Sequence, residues 1–242
     1  MLNSLSVVIP VYNEFENIPT VLDELLSYIP NIAQMYEIIV VNDGSTDCSD
    51  VILNEYTTRF PVVRVIHQDN QGFGGAINTG LINAQYEWIF YTDADKQFNL
   101  IELSEFIEYA RHYDMILGYR ISRAEGIRRW ILALGMKYWN FFVLGMPLTI
   151  QDIDCAFKLM RRSVVQKSLP LVSRGNIVTT ELLIRAINEH TRIKQIGVTH
   201  YKRQFGISKC GGIKDVIRVI FETFVLYRSL YFGNSRYSVS EA

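Results

Sequence analysis

The stretch 87–98, "EWIFYTDADKQF", decides the fold. Its first half is apolar without alternation, so it reads as a strand buried on both faces. It stops abruptly at two carboxylates one residue apart, Asp93 and Asp95. A strand that ends in acids points them at something positive, and the neighbouring segments indicate what that is.

Working outward, the same kind of run recurs at 5–10 ("LSVVIP"), 37–43 ("EIIVVND"), 62–68 ("VVRVIHQ") and 114–120 ("DMILGYR"). Segments of helical periodicity lie between them: 17–29, 45–60 (opened by capping residues), 74–85 and 100–113. Near-continuous apolar strands alternating with helices predict an α/β fold, Rossmann-like, with a mostly parallel central sheet and helices on both faces. Ligands of such sheets bind beyond the carboxyl ends of the strands. "PVYNE", "VNDGSTD" and "TDAD" are three such ends, so Glu14, Asp43, Asp93 and Asp95 are expected to converge. The second half is less regular. Residues 155–162 and 192–203 suggest further strands, 179–190 a helix, and 213–232 a long amphipathic one.

Bulk properties narrow the function. A chain of 242 residues suits one domain with at most a small appendage, and 49% hydrophobic residues supply a sizeable core. With 24 basic and 25 acidic residues, the chain lacks the basic excess of a general nucleic-acid binder. Cys48, Cys155 and Cys210 are far apart, without zinc spacing, and fit a reducing, cytoplasmic setting. The opening "MLNSLSVVIPVYNE" reads as a first strand rather than a signal peptide.

The glycine fingerprint of a dinucleotide site is missing after the first strand, and there is no P-loop lysine motif. A nucleotide bound here needs another way to neutralise its phosphates, and a metal ion is the simple answer. Carboxylates at i and i+2 where a strand becomes a loop can share one hard cation, and Mg²⁺ or Mn²⁺ uses one or two of them beside phosphate oxygens and water. Gln97 is placed to add an oxygen. Helix capping or a solvated turn is the alternative for the two aspartates. Asp43 can accept a hydrogen bond from a base or ribose, or serve the turn at Gly44; Tyr12 can stack on a base, or simply pack.

"VVIPVYNEFENI", "EIIVVNDGSTD", "NQGFGGAINTG" and "YTDADKQF" together resemble the nucleotide-sugar-binding domain of family 2 glycosyltransferases. The later "GYR", "DIDCAFKLMRR" and "HYKRQFGISK" resemble the polyprenyl-phosphate group, the dolichol-phosphate mannose or glucose synthases. The resemblance implies a GT-A type fold. It implies a metal on Asp93, Asp95 and Gln97, and a nucleotide lined by Pro10, Tyr12, Glu14, Asp43 and Ala94. Arg120, Arg203, Ser208 and Lys209 are implied to face phosphates, with Arg128 and Arg129 as further candidates. The sequence departs from the family where Tyr119 stands in "GYR" and Ala156 precedes Phe157.

The expected reaction is inverting transfer of a sugar from a UDP- or GDP-linked donor to a polyprenyl phosphate. A phosphate monoester has its second pKa near ~6, so it is already a nucleophile and needs cations rather than a general base. The alternative within the family is transfer to a saccharide hydroxyl, with Asp152 or Asp154 as base. An alternative of another class is a non-catalytic membrane-associated partner that keeps the fold. A catalytic domain is expected over 1–210, with its donor half over about 1–120 and its acceptor half over about 121–210; a C-terminal helix and tail follow over 211–242. Residues 130–148, with their basic flank, suggest an interfacial helix or a packed core helix. In 213–232, Ile213, Ile217, Ile220, Phe224, Tyr227 and Tyr231 form a stripe beside Lys214, Arg218 and Arg228. That stripe suits the surface of an anionic membrane, on its cytoplasmic face, while docking on the domain or pairing into a homo-oligomer are alternatives.

Overall fold

The computed structural model describes residues 1–121, 127–203, 205 and 213–232, with backbone alone for 127–133 and 213–216. The apolar runs of the first half are β1 (Leu2–Val11), β2 (Ala33–Asp43), β3 (Val63–Gln68) and β4 (Trp88–Thr92). Helices α1 (Ile18–Tyr28), α2 (Ser49–Arg59) and α3 (Phe73–Asn83) separate them. The remainder is α4 (Leu103–Tyr109), β5 (Met115–Arg120), α5 (Ile127–Leu144), β6 (Phe157–Arg161), α6 (Arg162–Ser168), α7 (Val178–Asn188), β7 (Ile193–Val198) and α8 (Ile213–Phe232).

Among the described residues, seven strands form one sheet in the order β3-β2-β1-β4-β6-β5-β7. β1 lies parallel between β2 and β4, with Val7 opposite both Ile38 and Phe90. The run Val7, Val8, Ile9 is almost free of solvent contact, as are Ile38 to Val41 and Ile89, Phe90. Covered on both faces, these strands need no polar alternation, which is why their sequences show none. The exception to parallel order is β6, antiparallel to both β4 and β5. The sequence pattern indicates a strand there and says nothing of its direction. The short α6, which follows β6 directly, was not expected: in "RSVVQKS" only Val165 and Ser168 are buried, too few for a helical period to show.

Phe157, first residue of β6, ties the antiparallel strand to the parallel half. Its ring meets Phe90 at 4.8 Å, Phe106 of α4 at 5.0 Å and Phe98 at 5.6 Å. Such pairs add about 0.5–1.5 kcal/mol each beyond area burial. They also anchor the far end of the loop that follows β4, so residues 93–97 hang between two fixed points.

Two glycines permit close approaches. A Cβ on Gly80 of α3 would collide with the Val8 Cγ1 methyl of β1. A Cβ on Gly175, just before α7, would collide with the carboxylate of Glu222 on α8. Helix α8 rests on this loop and on α5, where Trp139 and Phe224 meet edge to face at 5.7 Å and the Tyr231 hydroxyl donates to the Leu144 carbonyl at 3.0 Å. Its inner seam is Val219, Thr223, Leu226, Tyr227 and Leu230. The stripe expected from the sequence is therefore divided: Ile217, Phe224 and Tyr231 are exposed, while Tyr227 is packed.

Gly80→Ala forces a methyl into a stiff β-branched neighbour and should destabilise the fold by roughly 1–3 kcal/mol. Chemical denaturation measures it, and an unchanged midpoint would show that α3 has room to shift.

Candidate active site

The carboxyl ends of β1, β2 and β4 lie side by side because the strands are parallel and in register, Val11 opposite Asn42 and Val8 opposite Tyr91. The loops after β1 and β2 are stitched together through side chains. Asn13, at φ 56°, takes the Thr46 amide on its Oδ1 at 2.7 Å and gives its own amide to Ser45 Oγ at 3.0 Å. The Phe15 amide donates to Asp47 Oδ2 at 3.0 Å, and the Glu14 amide to Ser49 Oγ at 3.3 Å. Burial works to raise the Asp47 pKa, but hydrogen bonds from Ser49 and Phe15 outweigh it and hold the carboxyl below its ordinary value. Asn13, Asp47 and Ser49 were missed from sequence; the clustered Asn, Asp and Ser of "YNEFEN" and "DGSTDCS" were the available signal.

Asp43 is buried at the end of β2 and binds the next loop. It accepts from Gln68 Nε2 at 2.7 Å, the Gln71 amide at 2.8 Å and the Gly72 amide at 2.9 Å. It thereby fixes the entry to α3. Pro10 is buried within β1, Ala94 is buried between the two aspartates, and Tyr12 is exposed at the rim.

Asp93 and Asp95 are half-buried at the end of β4. The Tyr91 hydroxyl donates to Asp93 Oδ1 at 3.0 Å, and the Gln97 amide to Asp95 Oδ1 at 3.3 Å. Desolvation, then the charge of Asp95, pushes the Asp93 carboxyl up to about 7 from 3.8. Asp95 is raised too, by desolvation, with the nearby Arg203 pulling against it. Two carboxylates that disfavour each other's ionisation are a seat prepared for positive charge.

A side chain 108 residues beyond Asp95 supplies such charge: Arg203 pairs with Glu14 through Nη2 and lies 3.9 Å from Asp95 through Nη1. The loop that carries it is strapped to the aspartate loop. The Tyr201 amide donates to the Gln97 carbonyl and the Gln97 side-chain amide donates to the Tyr201 carbonyl, both at 2.8 Å, beside a bridge between Phe98 and His200. The Gln97 side-chain bond uses nitrogen and leaves the oxygen out of that contact. Glu14, Asp95, Gln97 and Arg203 are thus one cluster.

Arg120, at the end of β5, is joined to Asp152 by a two-pronged ion pair, Nε to Oδ2 at 2.7 Å and Nη2 to Oδ1 at 2.9 Å. Burial alone would lower the arginine's pKa, but the Asp152 bonds reverse this and raise it. The Thr179 hydroxyl donates to Asp154 Oδ1 at 3.5 Å. Arg128 and Arg129 lie on the first turn of α5, where only backbone is described, and Ser208 and Lys209 lie outside the described residues.

A cavity of about 650 Å³ opens at the opposite end of the sheet, lined by Asn3, Trp88, Ile107 and Arg161 among others. It contains none of the acids discussed above, so concavity and chemistry are at different ends here, and the chemistry is the better guide to function. Among the described residues no three His, Cys, Asp or Glu side chains gather to hold a metal. The Asp93–Asp95 pair still fits a hard cation whose remaining ligands are phosphate and water oxygens, as Mg²⁺ and Mn²⁺ prefer.

The chain matches known proteins in sequence and in fold. Residues 6–169 match the family model described as glycosyl transferase family 2. The chain is similar to the undecaprenyl-phosphate 4-deoxy-4-formamido-L-arabinose transferase of Pectobacterium carotovorum, 30% identical over 217 residues, 88% of this chain and 64% of that protein. It is also similar to the polyprenol monophosphomannose synthase of Mycolicibacterium smegmatis, 29% identical over 85% of this chain and 80% of that protein. A third relative is the dodecaprenyl-phosphate galacturonate synthase of Rhizobium johnstonii, 26% identical over 90% and 64%. The chain thus spans under two thirds of the length of the first and third. The glucosyl-3-phosphoglycerate synthase of Mycobacterium tuberculosis, solved with Mn²⁺, UDP-glucose and phosphoglyceric acid, shares the fold with a TM-score of 0.71 at 16% identity, over 93% of this chain and 80% of that one.

The raised Asp93 pKa has a consequence for stability. The folded chain holds this proton more tightly than the unfolded chain, so ionisation between about pH 4 and pH 7 costs the fold stability, and the cost is complete above pH 7. Asp93→Asn should therefore raise the melting temperature of the ligand-free protein by several degrees at pH 8 and by less at pH 5. An equal gain at both pH values, or a loss at pH 8, would refute the raised pKa of Asp93.

Proposed function

Because the chain belongs to glycosyl transferase family 2, we propose that it moves a sugar from a nucleoside-diphosphate donor to a polyprenyl phosphate, with inversion at the anomeric carbon. The observation that carries the donor half is the pair of mutually repelling carboxylates, Asp93 and Asp95, with Arg203 beside them. The three relatives, all named for a prenyl phosphate or prenol, support the acceptor.

In this reading Asp93 and Asp95, with Gln97, hold Mg²⁺ or Mn²⁺. The cation, when bound, supplies charge neutralisation to the departing diphosphate. Tyr12, exposed at the end of β1, stacks on the base; Pro10, Glu14 and Ala94 complete the nucleotide wall, and Asp43 braces the loop at 68–72 against it. Arg203 exchanges carboxylate oxygens for phosphate oxygens, with Arg128, Arg129, Ser208 and Lys209 as its partners on the acceptor phosphate. That phosphate is largely ionised near neutral pH. One of its oxygens attacks the anomeric carbon from the face opposite the leaving nucleoside diphosphate. No residue has to take a proton. The saturation of both Asp152 oxygens by Arg120 favours this over transfer to a hydroxyl with Asp152 as base. Residues 1–120 serve the donor and 121–210 the acceptor. "DIDCAFKL" resembles the glucose-type and bacterial members, which favours a UDP-linked donor.

A lipid acceptor requires access to a bilayer. Among the described residues no helix is long and apolar enough to cross a membrane. Phe142 of α5 and Phe232 of α8 are instead exposed, and so are Ile217 and Phe221, which flank the exposed Arg218 on α8. Aromatic side chains beside cations suit peripheral attachment to an anionic, cytoplasmic leaflet.

Two experiments test this. Transfer from a panel of UDP- and GDP-sugars to a short polyprenyl phosphate should require Mg²⁺ or Mn²⁺ and disappear in Asp93→Asn; full activity of that variant would remove the metal assignment. Arg203→Ala should raise the KM for the acceptor about ten-fold or more. The second experiment is sedimentation with vesicles: Phe142→Glu with Phe221→Glu should release the protein from anionic vesicles. Equal binding by the variant would place the membrane contact elsewhere.

A further inference from the structure

Lys158 is the second residue of β6 and has no solvent exposure, in the apolar run "FKLM". Its cross-strand neighbours are Tyr91 of β4 and Leu117 of β5. An ammonium group in a strand interior costs several kcal/mol of desolvation, and a hydrophobic residue of similar volume is often as stable or more so. Packing therefore does not account for a lysine here. What the amine does is specific: Nζ donates to the Ile153 carbonyl at 3.0 Å and to the Cys155 carbonyl. Both carbonyls belong to the loop that carries Asp152 and Asp154.

The surroundings give the charge a direction. Tyr91, beside Lys158 in the sheet, is the residue whose hydroxyl holds Asp93. On the other side, Asp152 is bound to Arg120, which closes β5. The carboxylates of Asp93, Asp152 and Asp154 all act on the amine, although burial prevails and lowers its pKa. Lys158 thus pairs in the sheet with the tyrosine that holds Asp93 and is bonded to the loop 152–155.

We infer that Lys158 is a positioning residue: by holding the Ile153 and Cys155 carbonyls it fixes the Asp152–Asp154 loop against the Asp93–Asp95 pair, and so sets the geometry in which the donor sugar is held. This rests on the proposed sugar transfer for its functional consequence, but not for its structural one. Cys155 provides a report that needs no substrate. Its thiol is fully buried and pushed up to about 12 by that burial, so it should resist alkylation while the loop is held. Cys48 is exposed and serves as the internal control.

The test uses the full chain with Lys158→Met and Lys158→Gln, the second retaining a single donor group. Alkylation by iodoacetamide is followed at each cysteine by peptide mass spectrometry. In Lys158→Met, Cys155 should react at least ten times faster than in the parent, with Cys48 unchanged and the melting temperature within a few degrees. Lys158→Gln should fall between the two. In the transfer assay kcat should drop ten-fold or more in Lys158→Met while the donor KM stays within about two-fold, a split expected when an interaction of the transition state is lost. Parent-like Cys155 protection in Lys158→Met overturns the inference, and so does failure of both variants to fold, since Lys158 would then be a requirement of the fold. If the parent transfers no sugar, the proposed function fails, and the Cys155 rates still decide the role of Lys158.

Discussion

Like charges gathered at one end of a parallel sheet are the constraint on which the rest of this structure depends. β1, β2 and β4 run the same way, so whatever follows each of them emerges at one edge. The residues that follow include Glu14, Asp43, Asp93 and Asp95. Such a set repels itself, and the fold manages it by giving each acid a separate arrangement. Asp43 is spent on amides of the loop at 68–72, Glu14 is tied to Arg203, and Asp95 shares that guanidinium at longer range. Among the described residues Asp93 is hydrogen-bonded by the Tyr91 hydroxyl alone, and its carboxyl is pushed up to about 7. The strain is left where a cation is expected to arrive.

The opposite charges are distributed with equal care. Arg120 and Asp152 form a closed pair on the far side of β6, and the fully buried Lys158 is bonded to the loop that carries Asp152. Buried pairs of this kind contribute little net stability, because desolvation offsets their attraction. Their value lies in direction: a guanidinium with both prongs engaged holds one orientation, and a buried amine fixes the carbonyls it touches. The site is shaped by electrostatic commitments that an apolar core of equal stability would not provide.

Much of this was legible in the sequence. Strands buried on both faces leave uninterrupted apolar runs, so β1, β2 and β4 and the acids at their ends could be located directly. The antiparallel direction of β6 could not, because a five-residue strand looks the same read either way. Nor could the partners of Arg120 and Arg203, since an ion pair between residues 32 or 189 positions apart leaves no periodic trace. Lys158 lay inside a segment recognised as a strand, and only its complete burial shows that its charge is an architectural element. The stripe on α8 was seen, but its division into a docked and an exposed side depends on what α5 and the loop before α7 present to it.

That loop meets α8 at Gly175, where the Glu222 carboxylate occupies the place of a side chain. Position 175 therefore leaves room for a carboxylate to fold back from α8 onto the loop. On its other side, the Arg174 carbonyl accepts the Gly74 amide, next to the loop that Asp43 braces. A side chain at 175 would displace the Glu222 carboxylate and with it the Arg218 ion pair, so the bare backbone at this position decides which acid α8 keeps on its inner side, one loop away from the acid edge.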